Sequence, residues 1–143
     1  MRVVKLRAVT IVVLACLLGG GGVAAATKTS VGAPFAGSWG AHETSLVITR
    51  AGTGRENYAD LRRCPTCSFA TAPRGTITFK LTSGTRRTAR GHVTASSDSR
   101  TAVKGERVRL KLLAGSPGTL LQLTIGASQQ VFCNRTSANQ CGA

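Results

Sequence analysis

Residues 75–83 read GTITFKLTS. Ile77, Phe79 and Leu81 fall on one side of an extended chain, and Thr76, Thr78 and Lys80 on the other. A period of two suits a strand with one face buried, whereas a helix needs apolar residues every three or four positions. The same reading extends outward in both directions. ERVRLKLL (106–113) sets Val108, Leu110 and Leu112 against Arg107, Arg109 and Lys111, and TLLQLTIG (119–126) buries Leu121, Leu123 and Ile125. TSLVITR (44–50) does so with Leu46 and Ile48. RENYADL (55–61), anchored on Tyr58, is a weaker strand, and RGHVTAS (90–96) and QQVFC (129–133) complete the set. Turn chemistry separates the runs, as in AGTG (51–54) and GSPG (115–118). No stretch beyond residue 26 carries a helical period. Short strands with glycine-rich turns predict an all-β antiparallel meander of six to eight strands. Closure into a barrel removes exposed edges, so a barrel-like domain is expected, with a two-sheet sandwich as the alternative.

The 143-residue chain is long enough for one domain, expected over 37–143. The first 26 residues read as a secretory signal with a signal helix: basic MRVVKLR, apolar AVTIVVLACLL, then small residues ending at Ala26. The eleven-residue apolar run is too short for a membrane span, which needs about 20. No transmembrane span is expected after cleavage. Cys16 gives a second reading, a lipidated N-terminus anchored at that cysteine. Residues 27–36, TKTSVGAPFA, read as a linker. The protein is therefore expected to be secreted or associated with the cell envelope.

Export bears on CPTC at 64–67. Four cysteines follow the signal: Cys64, Cys67, Cys133 and Cys141. An even number in an exported chain reads as two disulfides. The local pairing, Cys64–Cys67 with Cys133–Cys141, is the expectation, and a crossed one stays open. A redox centre needs a helix after the first cysteine to lower its thiol pKa. SFATAPRGTITF follows instead, with Pro73, Gly75 and then a strand. A structural zinc site usually takes two close ligand pairs. Cys64 and Cys67 make one, but Cys133 and Cys141 are eight apart, and His42 and His92 lie far off in sequence. No metal or other cofactor is expected.

Sixteen of the 19 Lys and Arg and all 5 acids follow the signal, a net charge of +11. Such an excess favours anionic partners. The candidate residues are Arg62, Arg63, Arg86, Arg87, Arg90, Arg107, Arg109 and Lys111. They suit anionic envelope polymers or lipid headgroups. Specific nucleic-acid binding is not expected, because stacking platforms need aromatics among the cations. The aromatics Phe35, Trp39, Tyr58, Phe69, Phe79 and Phe132 read mostly as core or linker residues. No nucleophile elbow, metalloprotease helix or phosphate-cradling loop occurs, so no catalytic residue is assigned. The enzymatic alternative is a hydrolase built on His42 and Glu43, with His92 as a further candidate.

Gly37-x-Trp39, just before the first of these strands, resembles the opening motif of lipocalin-like barrels. That likeness implies a tryptophan plugging one barrel end, and an interior that carries a small apolar ligand. Filling by the chain's own side chains is the competing expectation for so small a barrel. Taken in order, Trp39-x-x-His42, SLVIT then GTG, the CPTC pair, LLQL and the ending FC…CGA resemble a group of small secreted proteins from actinobacteria, mycobacteria included. The resemblance spans roughly 37–143. It implies export, a disulfide-stapled β domain and a C-terminal framework cysteine, and it carries no catalytic or binding residues with it.

Overall fold

The structure, a computed structural model, describes residues 30–115, 118–134 and 141. The expected signal segment and its helix lie outside these residues. Eight antiparallel strands follow one another around a closed barrel. They are β1 (Gly37–Ala41), β2 (Thr44–Ile48), β3 (Thr53–Ala59), β4 (Arg74–Gly84), β5 (Thr88–Ser96), β6 (Arg107–Ala114), β7 (Thr119–Ile125) and β8 (Ser128–Cys133). Each strand pairs with the next, and β8 returns to β1. The sandwich alternative gives way to the barrel at that last seam. The seam consists of a single register pair, Gly40 with Cys133, where every other seam has at least five.

The alternation read from the sequence sets which side chains fill the barrel. Leu46, Ile48, Ile77, Phe79, Leu81, Val93, Val108, Leu110, Leu121, Leu123 and Phe132 are all buried in one core. GSWGA, expected to precede the first strand, is itself β1 and turns Trp39 and Ala41 inward. Its glycines leave only those two inward side chains, which is why its period is faint. Phe79 is accommodated by Gly54 on the neighbouring strand. A Cβ at Gly54 would stand 2.1 Å from the Phe79 ring, so only glycine lets the ring lie flat across β3.

Up-and-down order gives the barrel two distinct ends. The connections β2–β3, β4–β5 and β6–β7 form the lower end, and β1–β2, β3–β4, β5–β6 and β7–β8 the upper end. The chain before β1 crosses the lower end. This corrects the boundary of the expected linker. Residues 30–36 fold with the domain, because a 3-10 turn at Ala33–Phe35 places Phe35 fully inside the core. Pro34 presets the backbone for that turn, and Phe35 N–H donates to the Gly32 carbonyl at 3.0 Å. Trp39 Nε1 then donates to the Phe35 carbonyl at 2.9 Å. Trp39 and Phe35 together seal the lower end.

Both disulfides follow the local pairing: Cys64–Cys67 in the β3–β4 loop, and Cys133–Cys141 at the end of β8. Among the described residues, no helix is long and apolar enough to cross a membrane.

Candidate functional site

The eight cations singled out in the sequence separate into two groups. Arg90 on β5 and Arg107, Arg109 and Lys111 on β6 occupy non-core positions of adjacent strands, and all four are exposed. Arg90 stands directly opposite Arg109, and Arg107 opposite His92. Arg86 and Arg87 sit in the β4–β5 turn at the foot of the same pair of strands, where Thr85 Oγ1 accepts from the Arg87 N–H at 3.2 Å. Among the described residues none of these six cations makes an ion pair. The nearest acid in sequence is Glu106. Its carboxylate accepts from the Val103 N–H at 2.9 Å, at the upper border of the face. A depression of about 360 Å³ runs beside Arg107 and Arg109.

Arg62 and Arg63 lie elsewhere, in the β3–β4 loop at the upper end. Arg63 Nε is 3.8 Å from Oδ2 of buried Asp60, and Arg62 donates to Thr101 Oγ1 at 3.4 Å. Both are tied into loop structure. Asp98 is engaged too. Arg100 grips it through its Nε at 3.1 Å and its Nη2 at 3.1 Å, and these bonds hold the Asp98 carboxyl below its ordinary range.

The hydrolase set is not brought together. His42 and Glu43 form the β1–β2 turn, whereas His92 lies on β5 opposite Lys80 and Arg107, three strands further round the barrel. His42 instead meets the Phe69 ring edge-on at 5.2 Å. The cysteines are consumed as disulfides, and CPTC sits in turns with no helix after it. Among the described residues no cluster of His, Cys, Asp or Glu could hold a metal ion.

A second feature lies inside the barrel. Glu56 on β3 points inward, in register between Leu46 of β2 and Ile77 of β4. It is only 6 % exposed, and burial pushes its carboxyl up to about 7. Two residues on, Tyr58 faces the same way. Its ring lies across Gly75, where a Cβ would stand 2.2 Å from Cζ. The Tyr58 hydroxyl is buried without a hydrogen-bond partner among the described residues. Both side chains border a cavity of about 170 Å³ near the upper end, walled by Ile77, Leu123 and Ile125. Thr101, from the β5–β6 loop, and Ser128 and Gln130, of β8, complete its lining. The interior is thus filled below and hollow above. Glu56 was not among the sequence candidates, although it shares the inward side of β3 with Tyr58.

No family model, curated protein or solved structure matches this chain.

Proposed function

We propose that the protein is a non-enzymatic binding module of the cell envelope or extracellular space, held to phosphate-bearing polymers by the outer face of β5 and β6. The observation that carries this reading is the unpaired row Arg107, Arg109 and Lys111 with Arg90 set directly across from Arg109. Like charges opposite one another in a sheet cost stability, by a few tenths of a kcal/mol or more. Folding gains nothing from that arrangement, but a polyanion does. Alternate residues on one strand face repeat at about 6.7 Å, which presents a line of charges to a linear chain of anionic groups. The apolar signal segment and two disulfides support export.

The test is binding of the full exported protein to long-chain polyphosphate across a salt series. Affinity falls steeply with salt, and the triple variant Arg107→Ser, Arg109→Ser, Lys111→Ser flattens the log–log slope by about 2 to 3. Binding that is unchanged between low and high salt refutes the proposal. Tight binding to phosphatidylglycerol vesicles with none to polyphosphate moves the partner from polymer to lipid.

A further inference from the structure

We propose that the upper cavity is a binding site for a small organic cation, an ammonium group on a compact apolar body, with the Glu56 carboxylate as its counter-charge. The reasoning begins with what a barrel interior tolerates. An unpaired carboxylate away from water is among the least favourable groups to bury. A leucine or valine would suit the position between Leu46 and Ile77 better for folding alone. Glu56 is nonetheless 6 % exposed, and among the described residues it has neither an ion-pair nor a hydrogen-bond partner. Tyr58, on the same side of the same strand, also has its hydroxyl buried and, among the described residues, unpaired. Two adjacent polar side chains lacking partners, both bordering one cavity, mark a place where the partner comes from outside.

Size and lining define that partner. A void of about 150 Å³ lined by apolar side chains holds benzene. The 170 Å³ here therefore suits one small ring or a branched chain of similar bulk. Ile77, Leu123 and Ile125 offer the apolar wall. The charged end of the ligand meets Glu56, with the Tyr58 hydroxyl placed to accept a second N–H. An anionic ligand would face Glu56 with like charge, and a neutral one would leave the carboxylate unpaired. The net positive charge of the chain does not reverse this preference. Among the described residues no Lys, Arg or His lines the cavity. The cations of the β5–β6 face are exposed to solvent, where charges are screened over about 8 Å at physiological salt.

Binding is coupled to ionisation of Glu56. The groups facing it are Leu46 from β2, Ile77 from β4, Leu123 and Ile125 from β7, Ser128 and Gln130 from β8, and Thr101 from the β5–β6 loop. None of these is charged. Among the described residues Tyr58 is the one other titratable group lining the cavity. The ammonium ligand requires the carboxylate, so affinity rises with pH through the range in which Glu56 loses its proton.

The experiment is calorimetric titration of the intact protein with benzylamine, benzyl alcohol and benzoate at pH 8, and with benzylamine again at pH 6. Benzylamine binds at least tenfold more tightly than the other two at pH 8. It weakens about tenfold at pH 6, where a group titrating near 7 is mostly protonated. E56Q removes at least tenfold of its affinity, and Y58F removes less. Methyl NMR shifts on benzylamine binding centre on Ile77, Leu123 and Ile125. Benzyl alcohol binding as well as benzylamine, benzoate binding better, an E56Q variant that binds unchanged, or no saturable benzylamine binding below ~10 mM each overturns the proposal. A polyphosphate titration of E56Q keeps the two proposals separate, because the outer face of β5 and β6 is untouched by that substitution.

Discussion

The two ends of the barrel are built from the same alternating strands and have opposite interiors. At the lower end Phe35, fully buried, and Trp39, 8 % exposed, close the barrel, and the one polar atom they bring inside, Trp39 Nε1, is hydrogen-bonded. At the upper end Tyr58 brings in a buried hydroxyl and Glu56 a carboxyl, neither with a partner among the described residues, around an open volume. A plug that satisfies its own polar atoms serves stability. Polar groups held inside without partners work against it, and their retention points to binding. With the proposed cation site, the difference divides stability and recognition between the two ends.

The largest expected effect comes from opening the sealed end. Phe35→Ala removes a fully buried ring and leaves the Trp39 side chain facing a void, at a cost of about 3–5 kcal/mol in chemical denaturation. A loss below ~1 kcal/mol would mean that the lower end is not the plug described here.

The upper end makes the opposite prediction. Burial raises the Glu56 carboxyl from 4.5 to about 7, so between those values the folded protein holds a proton that the unfolded chain has released. Stability therefore declines as pH rises from about 4.5 to about 7 and is flat above, a total of about 3 kcal/mol from this group. E56Q abolishes that decline. The variant matches the parent near pH 4.5 and exceeds it near pH 8, as measured by urea midpoints across pH. A parent whose stability from this group rises over that interval would show that Glu56 has a counter-charge inside, and would erase the contrast between the ends.

The two disulfides sharpen the comparison on a smaller scale. Cys133–Cys141 closes a separation of 8 residues beside the one-pair seam, and Cys64–Cys67 closes a separation of 3 within an upper-end loop. Loop-closure entropy gives about 2.5 kcal/mol for the former and about 1.6 for the latter. Replacing each pair by alanine and comparing melting midpoints tests the order. A larger loss from the CPTC pair would make the upper loop, rather than the seam, the element that most needs a staple.

How much of this was legible depended on where the signal lay. Strands such as GTITFKLTS and ERVRLKLL carry their inward sets as three apolar residues each, so the all-β meander could be read directly. Closure into a barrel rests on a single pair between residues 40 and 133, which no local pattern encodes. Phe35 reads as a linker residue in the sequence because its neighbours are small and polar, and only a tertiary contact shows that it belongs to the core. Of the cations, those spaced by two along β6 were legible as one face, and the register added Arg90. Arg62 and Arg63 could not be assigned, since their partners Thr101 and Asp60 meet them through loop geometry. Glu56 is the instructive omission. With Tyr58 read as the inward anchor of β3, residue 56 has the same parity, so a charged residue on the inner face was already written in RENYADL.

The smallest expected effect extends the comparison to the outer surface. Polar groups kept at a cost to folding marked recognition inside the barrel, and Arg90 opposite Arg109 is the corresponding case outside it. Arg90→Thr relieves that repulsion and adds a β-branched residue to an exposed strand position, so stability rises by up to about 0.5 kcal/mol at low salt. The gain shrinks as salt screens the pair. The same variant weakens polyphosphate binding and lowers its salt slope by about 1. Stability and binding then move in opposite directions with one substitution, which is the signature of a residue retained for its partner. If Arg90→Thr destabilises the protein and leaves polyphosphate binding intact, the face is structural, and recognition is confined to the upper end of the barrel.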